Sequence, residues 1–194
     1  MPFGLDGQDA AFVVLRGSPD ATGAVAAQVQ LTTVGELDSG WHIGFGESPA
    51  KLPATLHSWH QSTNPEIKYF SGTVTYSNHF DLPATSLGQG RLLLDLGEVH
   101  EVASVSVNGR LAGIVWKPPY RVEVGDLLVP GRNVVEATVA NLWVNQLIGD
   151  AQPGAVARAF TTGPAFRSDA PLRPSGLIGP VRLLAEGREK RVTR

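Results

Sequence analysis

The sequence contains no cysteine, which excludes disulfide bridges and metal sites built from thiolates. It also lacks an apolar run of about 18 residues, so we expect no transmembrane helix. Charged residues are sparse at 18%, the formal net charge is −2, and no basic stripe is present. A surface that follows nucleic-acid phosphates is therefore not expected.

The N-terminal residues and the length of the chain bear on targeting and on domain organisation. Residues 1–30 lack the basic start and the apolar segment of a signal peptide, so the sequence as written predicts a cytoplasmic protein or part of a longer exported one. The 194 residues are sufficient for one domain with a substantial core. We expect an N-terminal tail over 1–10, a single β-sandwich domain over 11–185 and a basic C-terminal tail over 186–194.

Turn-forming residues are abundant: 22 glycines and 14 prolines are spread between short apolar runs, as is typical of strands joined by turns. Apolar and polar side chains alternate most clearly over residues 69–80, with Val74 and Tyr76 at even positions and mostly hydroxyl-bearing residues at odd positions. This period of two predicts one buried face and one exposed face. The pair Asn108-Gly109 is typical of a type I′ hairpin turn.

Short strands are expected along most of the chain. Besides 69–80, the expected strands lie at residues 11–16, 25–33, 41–45, 91–96, 103–107, 120–124, 134–139 and 181–184. The polar segment 52–65 is predicted to be a long loop, and only 126–129 has helical character, for one turn at most. Short strands with frequent turns predict an all-β fold, an antiparallel β-sandwich of the jelly-roll type.

Four strings of the sequence carry a resemblance to known families. VSVNG at 105–109 and PGRN at 130–133 resemble the sugar-binding jelly-roll domain of the β-galactosidase and β-glucuronidase class. NLWVNQLIGD at 141–150 and PSGLIGPV at 174–181 are similar to the C-terminal region of family 106 α-L-rhamnosidases and related large hydrolases. The resemblance covers most of residues 11–185.

This resemblance implies a galactose-binding-domain-like sandwich that serves as a carbohydrate-binding accessory module. In such hydrolases the catalytic carboxylates lie on a separate (β/α)8 barrel, and a barrel of about 250 residues does not fit in this chain. The partners implied are an oligo- or polysaccharide and a catalytic barrel domain or chain. A structural Ca²⁺ is also implied, without assigned ligands, and no other cofactor is expected. Two alternatives stay open: a glycoside hydrolase acting alone or with a partner chain, and a structural docking domain of a larger hydrolase.

Saccharide sites combine aromatic faces with planar polar side chains that bracket hydroxyl groups. One part of the sequence holds that combination of residue types: Trp116, Lys117, Asn141, Trp143, Asn145 and Asp150. The alternative for both tryptophans is that they cap the core, where tryptophan is usually buried. The resemblance implies a hydroxyl or metal ligand role for Asp150, and the alternative is that it caps a turn.

Three further residues are candidate ligand-binding residues. The resemblance implies that Asn108 approaches a ligand, although a turn residue chosen for positive φ is the favoured alternative. Trp59 and His60 lie together in the predicted loop, where a sugar-stacking indole and an interface with a partner domain are both consistent with the sequence. His57 and His60 lack a third ligand nearby in sequence, so a metal is not expected there.

Acidic residues give only weak signs of catalysis. Glycosidases place two carboxylates about 5–10 Å apart, and no acidic pair in this sequence carries a recognisable motif. Asp150 and Glu98 are the weak catalytic candidates. The nucleophile elbow, the phosphate-binding loop and the HExxH metal motif are all missing.

Overall fold

The computed structural model describes residues 10–12, 14, 30–46, 52–88 and 90–187. These residues form twelve strands and two short helices, α1 (Pro65–Lys68) and α2 (Val144–Asp150). None of the helices in this part of the chain is long and apolar enough to cross a membrane. The strands are β1 (Gln30–Glu36), β2 (Trp41–Phe45), β3 (Leu52–Ala54), β4 (Thr73–Leu82), β5 (Leu92–Asp95), β6 (Glu98–His100), β7 (Val102–Val107), β8 (Arg110–Val115), β9 (Arg121–Glu123), β10 (Gly131–Ala140), β11 (Gly176–Gly179) and β12 (Arg182–Gly187).

Two antiparallel sheets pack on each other. The larger has the strand order β3-β2-β4-β10-β7-β8, the smaller has the order β1-β12-β5-β9, and β6 pairs with β11 beside them. Residues of both sheets, such as Val105 of the larger and Leu94 of the smaller, join one buried apolar core. The predicted antiparallel β-sandwich is therefore confirmed.

The alternation in the sequence accounts for the core. In β4, Val74 and Tyr76 are buried while Thr73 is exposed, as the period of two predicts. In β10, Val135 and Val139 are completely buried and face the smaller sheet. Burial of each such side chain stabilises the fold by about 1.5–3 kcal/mol.

Several predicted element boundaries change in the structure. Strand β2 covers the predicted 41–45, whereas β4 begins only at Thr73, because the N–H groups of Tyr69 and Phe70 still bond back to the last turn of α1. Asn64 caps α1 by accepting the N–H of Glu66 at 3.0 Å, and Pro65 starts the helix. The loop predicted at 52–65 is wrong in part, because it contains β3 and a 3₁₀ turn.

Two predicted strands lie partly outside the described residues. Of 25–33 only Gln30 to Thr33 are described, and they belong to β1. Of 11–16 the described residues 11, 12 and 14 are not in a strand, and the others lie outside the described part. The sequence did not predict α2, since seven residues ending in Gly149 and Asp150 are too short to show a helical period.

One end of the larger sheet gathers the connections that matter for function. There β8 and β10 end while β4 and β7 begin, with Ala140 paired to Thr73 on one side and to Val102 on the other. We call this end the rim and define it by the segments 65–72, 96–101, 116–120 and 141–175. Two of the segments, 96–101 and 116–120, cross between the sheets.

Candidate functional site

Trp116 stands at the rim directly after β8, and its side chain is 65% exposed. The loop that it opens continues through half-buried Lys117 and two prolines, which lack backbone donors and restrict φ. The loop ends at Tyr120, whose carbonyl accepts the N–H of Leu96 at 2.9 Å. The alternative that Trp116 caps the core is therefore wrong.

Trp143 occupies the N-cap position of α2 and is 62% exposed. Its carbonyl accepts the N–H of Leu147 at 3.0 Å, so helical geometry already holds at this residue. Positions three and four apart share a face of a helix, which places Trp143, Gln146 and Asp150 on the same side of α2. Trp143 does not cap the core either.

The two candidate asparagines of this region form hydrogen bonds with backbone groups of neighbouring segments. Asn141 donates from Nδ2 to the carbonyl of Phe70 at 2.9 Å and accepts the N–H of Gly72 at 3.0 Å. Asn145 is buried, donates to the carbonyl of Arg173 at 2.8 Å and accepts the N–H of the same residue at 2.8 Å. Both amides therefore fix segments of the rim. Asn141 keeps one N–H and one acceptor lone pair for a ligand, whereas both amide hydrogens of buried Asn145 are used.

Asp150 clamps the segment that follows α2. Its Oδ1 accepts from Gln146 Nε2 at 2.7 Å, and its Oδ2 accepts the N–H groups of Arg158 at 3.0 Å and Ala159 at 2.8 Å. Desolvation acts to raise the pKa of Asp150, but the hydrogen bonds from Ala159, Gln146 and Arg158 outweigh it and lower the pKa. The carboxylate is thus held ionised by N–H donors, as in the turn-capping alternative.

The implied structural Ca²⁺ stays a proposal without assigned ligands. No group of three or more His, Asp or Glu side chains in the described part of the chain is placed to hold a metal ion. Calcium also takes backbone and amide carbonyl oxygens as ligands, and Asp150, which accepts three hydrogen bonds, keeps one further acceptor position.

Asn108 lies at the opposite end of the sandwich from the rim. Its φ is 52°, its Nδ2 donates to the carbonyl of Leu127 at 2.8 Å, and its Oδ1 accepts the N–H of Val134 at 2.9 Å. Strand β7 separates it from the rim, and strands rise by about 3.3 Å per residue, which makes the separation about 17 Å. Asn108 therefore serves the hairpin turn, which is the alternative that the sequence favoured, and it lies far from the other candidate ligand-binding residues.

Trp59 belongs to the core, and the prediction that it offers a face to sugar is wrong. It is only 2% exposed, its Nε1 donates to the hydroxyl of Tyr76 at 2.6 Å, and its ring lies 5.6 Å from that of Phe45. Gly176 makes this burial possible, because a Cβ there would lie 2.5 Å from the indole and from the tyrosine hydroxyl.

His60 lies half-buried in the turn after Trp59, with Nδ1 at 2.6 Å from the hydroxyl of Ser58. Burial lowers the pKa of the imidazole, and the positive charges of His100 and Lys68 lower it further. His60 therefore lies close enough to His100 for the two rings to affect each other electrostatically.

The sequence singled out only Glu98 from a carboxylate and imidazole cluster at the rim. His100 Nε2 lies 2.8 Å from Glu98 Oε1, and His100 Nδ1 lies 3.8 Å from Glu101 Oε1. Burial raises the pKa of Tyr120, and the charges of Glu101 and Glu98 raise it further, so Tyr120 lies beside the cluster. Residues two apart share one side of a strand, and this spacing of Glu98 and His100 was the available signal.

A pocket of about 290 Å³ lies between α1 and α2 at the rim. Its wall includes Glu66 and Tyr69 from the first segment and Gln146, Asp150 and Arg158 from the second. Arg158 Nη2 and Glu66 Oε1 are 3.3 Å apart across it, and both side chains are exposed.

Comparison with known proteins relates the chain to large hydrolases. No protein-family model matches it. A putative β-glucuronidase of Formosa agariphila is 35% identical over 153 residues, which are 66% of this chain and 13% of that protein. The rhamnosidase of Novosphingobium sp. PP1Y is 45% identical with a TM-score of 0.77, over 83% of this chain and 16% of that one.

More distant structures share the fold alone. A β-glucuronidase from an uncultured Clostridium sp. is 19% identical with a TM-score of 0.58, over 87% of this chain and 31% of that one. The chain thus spans only a small part of each of these relatives. The resemblance of the sequence to rhamnosidase- and glucuronidase-like enzymes is confirmed.

Proposed function

From the relationship of this chain to one region of rhamnosidase- and β-glucuronidase-like glycoside hydrolases, we propose that it is an accessory domain that binds saccharide at the rim. The observation that carries the proposal is the exposure of two indoles, Trp116 and Trp143, at the same end of one sheet. Tryptophan is usually buried, and exposed large apolar side chains that lie close together mark interaction sites. Indole faces suit the apolar C–H faces of pyranose rings.

The spacing of the strands supports a shared saccharide surface. Strands β8 and β10 flank β7, and neighbouring strands lie about 4.8 Å apart, so the backbones at Trp116 and Asn141 are about 10 Å apart. Trp143 follows two residues after Asn141. The two tryptophans therefore leave the same end of the sheet from strands two places apart, a backbone spacing that suits contacts with one short saccharide.

Polar groups for the hydroxyls lie in the neighbouring connection. The hydrogen bond from Leu96 to Tyr120 joins the loop of Trp116 to the segment that holds Glu98, His100 and Glu101. Carboxylates accept hydrogen bonds from sugar hydroxyls, and imidazole can donate or accept. On such an open surface we expect affinities of roughly micromolar to millimolar.

A catalytic domain is the expected protein partner of this chain. Because the chain spans 13% and 16% of the relatives at 35% and 45% identity, the accessory domain is expected to work beside a catalytic (β/α)8 domain or chain. The exposed side chains of Leu142 and Phe160 add apolar surface at the rim that suits such a neighbour.

Calorimetry against glycans that contain rhamnose, galactose or glucuronate tests saccharide binding. Trp116→Ala and Trp143→Ala should each weaken binding about tenfold, or about 1.4 kcal/mol, because each removes a stacking face. The matched control is Leu111→Ala, since Leu111 is also 65% exposed but follows the hairpin at the opposite end. The proposal fails if the folded protein binds none of these glycans, or if the control loses as much affinity as the tryptophan variants.

A further inference from the structure

We infer that the pocket between α1 and α2 is a subsite for a single neutral sugar ring, an inference that rests on the saccharide binding proposed above. Its volume of about 290 Å³ is at the lower limit of the pockets that hold small ligands. Gly149 allows α2 to form one wall closely against Tyr69, because a Cβ at this position would lie 2.6 Å from the Cβ of Tyr69. The pocket is therefore sized for one ring rather than for an oligosaccharide.

The charges on the wall favour a neutral ligand. Glu66 and Asp150 contribute two negative charges and Arg158 contributes one positive charge, which leaves a net charge of −1. Lys68 lies over the ring of Tyr69, 5.6 Å from its centre, outside the residues that line the pocket. A sugar carboxylate would add a negative charge beside two others, whereas hydroxyls can donate to a carboxylate and accept from a guanidinium.

Two of these charged groups are more available to a ligand than the third. Asp150 already accepts three hydrogen bonds, from Gln146, Arg158 and Ala159, so its main part is to shape the wall. The ion pair of Glu66 with Arg158 is long at 3.3 Å and solvent-exposed, and pairs of this kind contribute little to stability. Both side chains can therefore turn towards a ligand at small cost.

Trp143 does not line the pocket, but it lies on the helical face of α2 that does. Gln146 and Asp150 line the pocket, and Trp143 lies one turn before Gln146. A ring in the pocket would thus lie on the Trp143 side of α2, towards one end of the saccharide surface proposed for the rim.

Titration of the ¹⁵N-labelled protein with methyl α-L-rhamnoside, methyl β-D-galactoside and methyl β-D-glucuronide tests this subsite. The neutral glycosides should shift the amide signals of Gln146, Gly149 and Arg158 and bind at least tenfold more tightly than the glucuronide. Glu66→Gln and Arg158→Gln should each weaken the binding of the neutral glycosides about fivefold to tenfold. Glu66→Gln should also narrow the difference between neutral and acidic sugars, because it removes a repelling charge.

Arg167→Gln is the matched control, since Arg167 lies in the same segment, is exposed and pairs with Asp169 instead. It should leave every affinity unchanged. Equal affinity for the glucuronide, or binding that depends on Trp116 but not on Glu66 and Arg158, overturns the subsite and leaves saccharide binding at the rim intact. No binding of any glycoside or glycan by the folded protein overturns both.

Discussion

The candidate residues of the rim fall into two groups, those bonded to the protein and those exposed to solvent. Asn141, Asn145 and Asp150 spend their hydrogen-bonding atoms on the protein itself, mostly on backbone. Trp116 and Trp143 instead present most of their surface to solvent. The first group therefore supports the site and the second group is available to a ligand.

The pH dependence of stability is expected to reflect His60. Burial, aided by His100 and Lys68, lowers its pKa in the folded state below the value of about 6.5 in the unfolded chain. The folded state then binds the proton less readily, so this stability is fully present above about pH 6.5 and is lost as the pH falls through that value towards the lower folded pKa. Urea unfolding at several pH values should show the decline.

His60→Gln should flatten that decline, because it removes the group that takes up the proton. His57→Gln is the control, since His57 is an exposed residue of the same segment whose Nδ1 lies 2.8 Å from the carbonyl of Thr55. If the free energy of unfolding of His60→Gln still falls with pH between about pH 7 and 5, another group is responsible.

Among the elements, the segment after α2 is held near its start by Asp150 and near its end by Asn145. Residues 151–175 lie between α2 and β11 without forming a strand or helix, and Asp150 holds them through the N–H groups of Arg158 and Ala159. Loops of this length inside compact domains are uncommon and often functional. The position of the pocket wall therefore depends on this clamp.

Asp150→Ala should release the segment. Loss of hydrogen bonds to an ionised carboxylate costs about 1.5–3 kcal/mol, which corresponds to roughly tenfold or more local opening. Limited trypsin digestion followed by mass spectrometry should then show faster cleavage after Arg158. Asp169→Ala, which breaks only the contact with Arg167, should leave cleavage after Arg158 at its original rate; equal cleavage in the two variants would mean that Asp150 is not the anchor.

The sequence predicted the strands far better than the roles of individual polar residues. The alternation around Val74 and the positive φ at Asn108 are local properties, and both appear in the structure. The partners of Asn145 lie 28 and 30 residues away in sequence, so no local pattern reveals that its amide is occupied. The burial of Trp59 likewise depends on Gly176, which is distant in sequence and adjacent only in the fold.

For the whole molecule, the accessory role predicts no hydrolysis by the isolated chain. Glu98 is hydrogen-bonded to His100 and Asp150 to the segment after α2, so the two weak catalytic candidates are held by different partners. Purified protein should therefore release no nitrophenol from aryl α-L-rhamnoside or aryl β-galactoside. Release that disappears in both Glu98→Ala and Asp150→Ala would instead support the hydrolase alternative.

The separation of the Asn108 hairpin from the rim makes the domain easy to orient on a surface. Because the chain has no cysteine, Leu111→Cys would introduce the sole thiol, at an exposed position beside that hairpin. A maleimide tether at this thiol would attach the domain at the end opposite the rim, with the backbone of Trp116 about 17 Å along the strand from the attachment point. Binding of soluble glycans to such a layer would then be measured with the rim free of the attachment point.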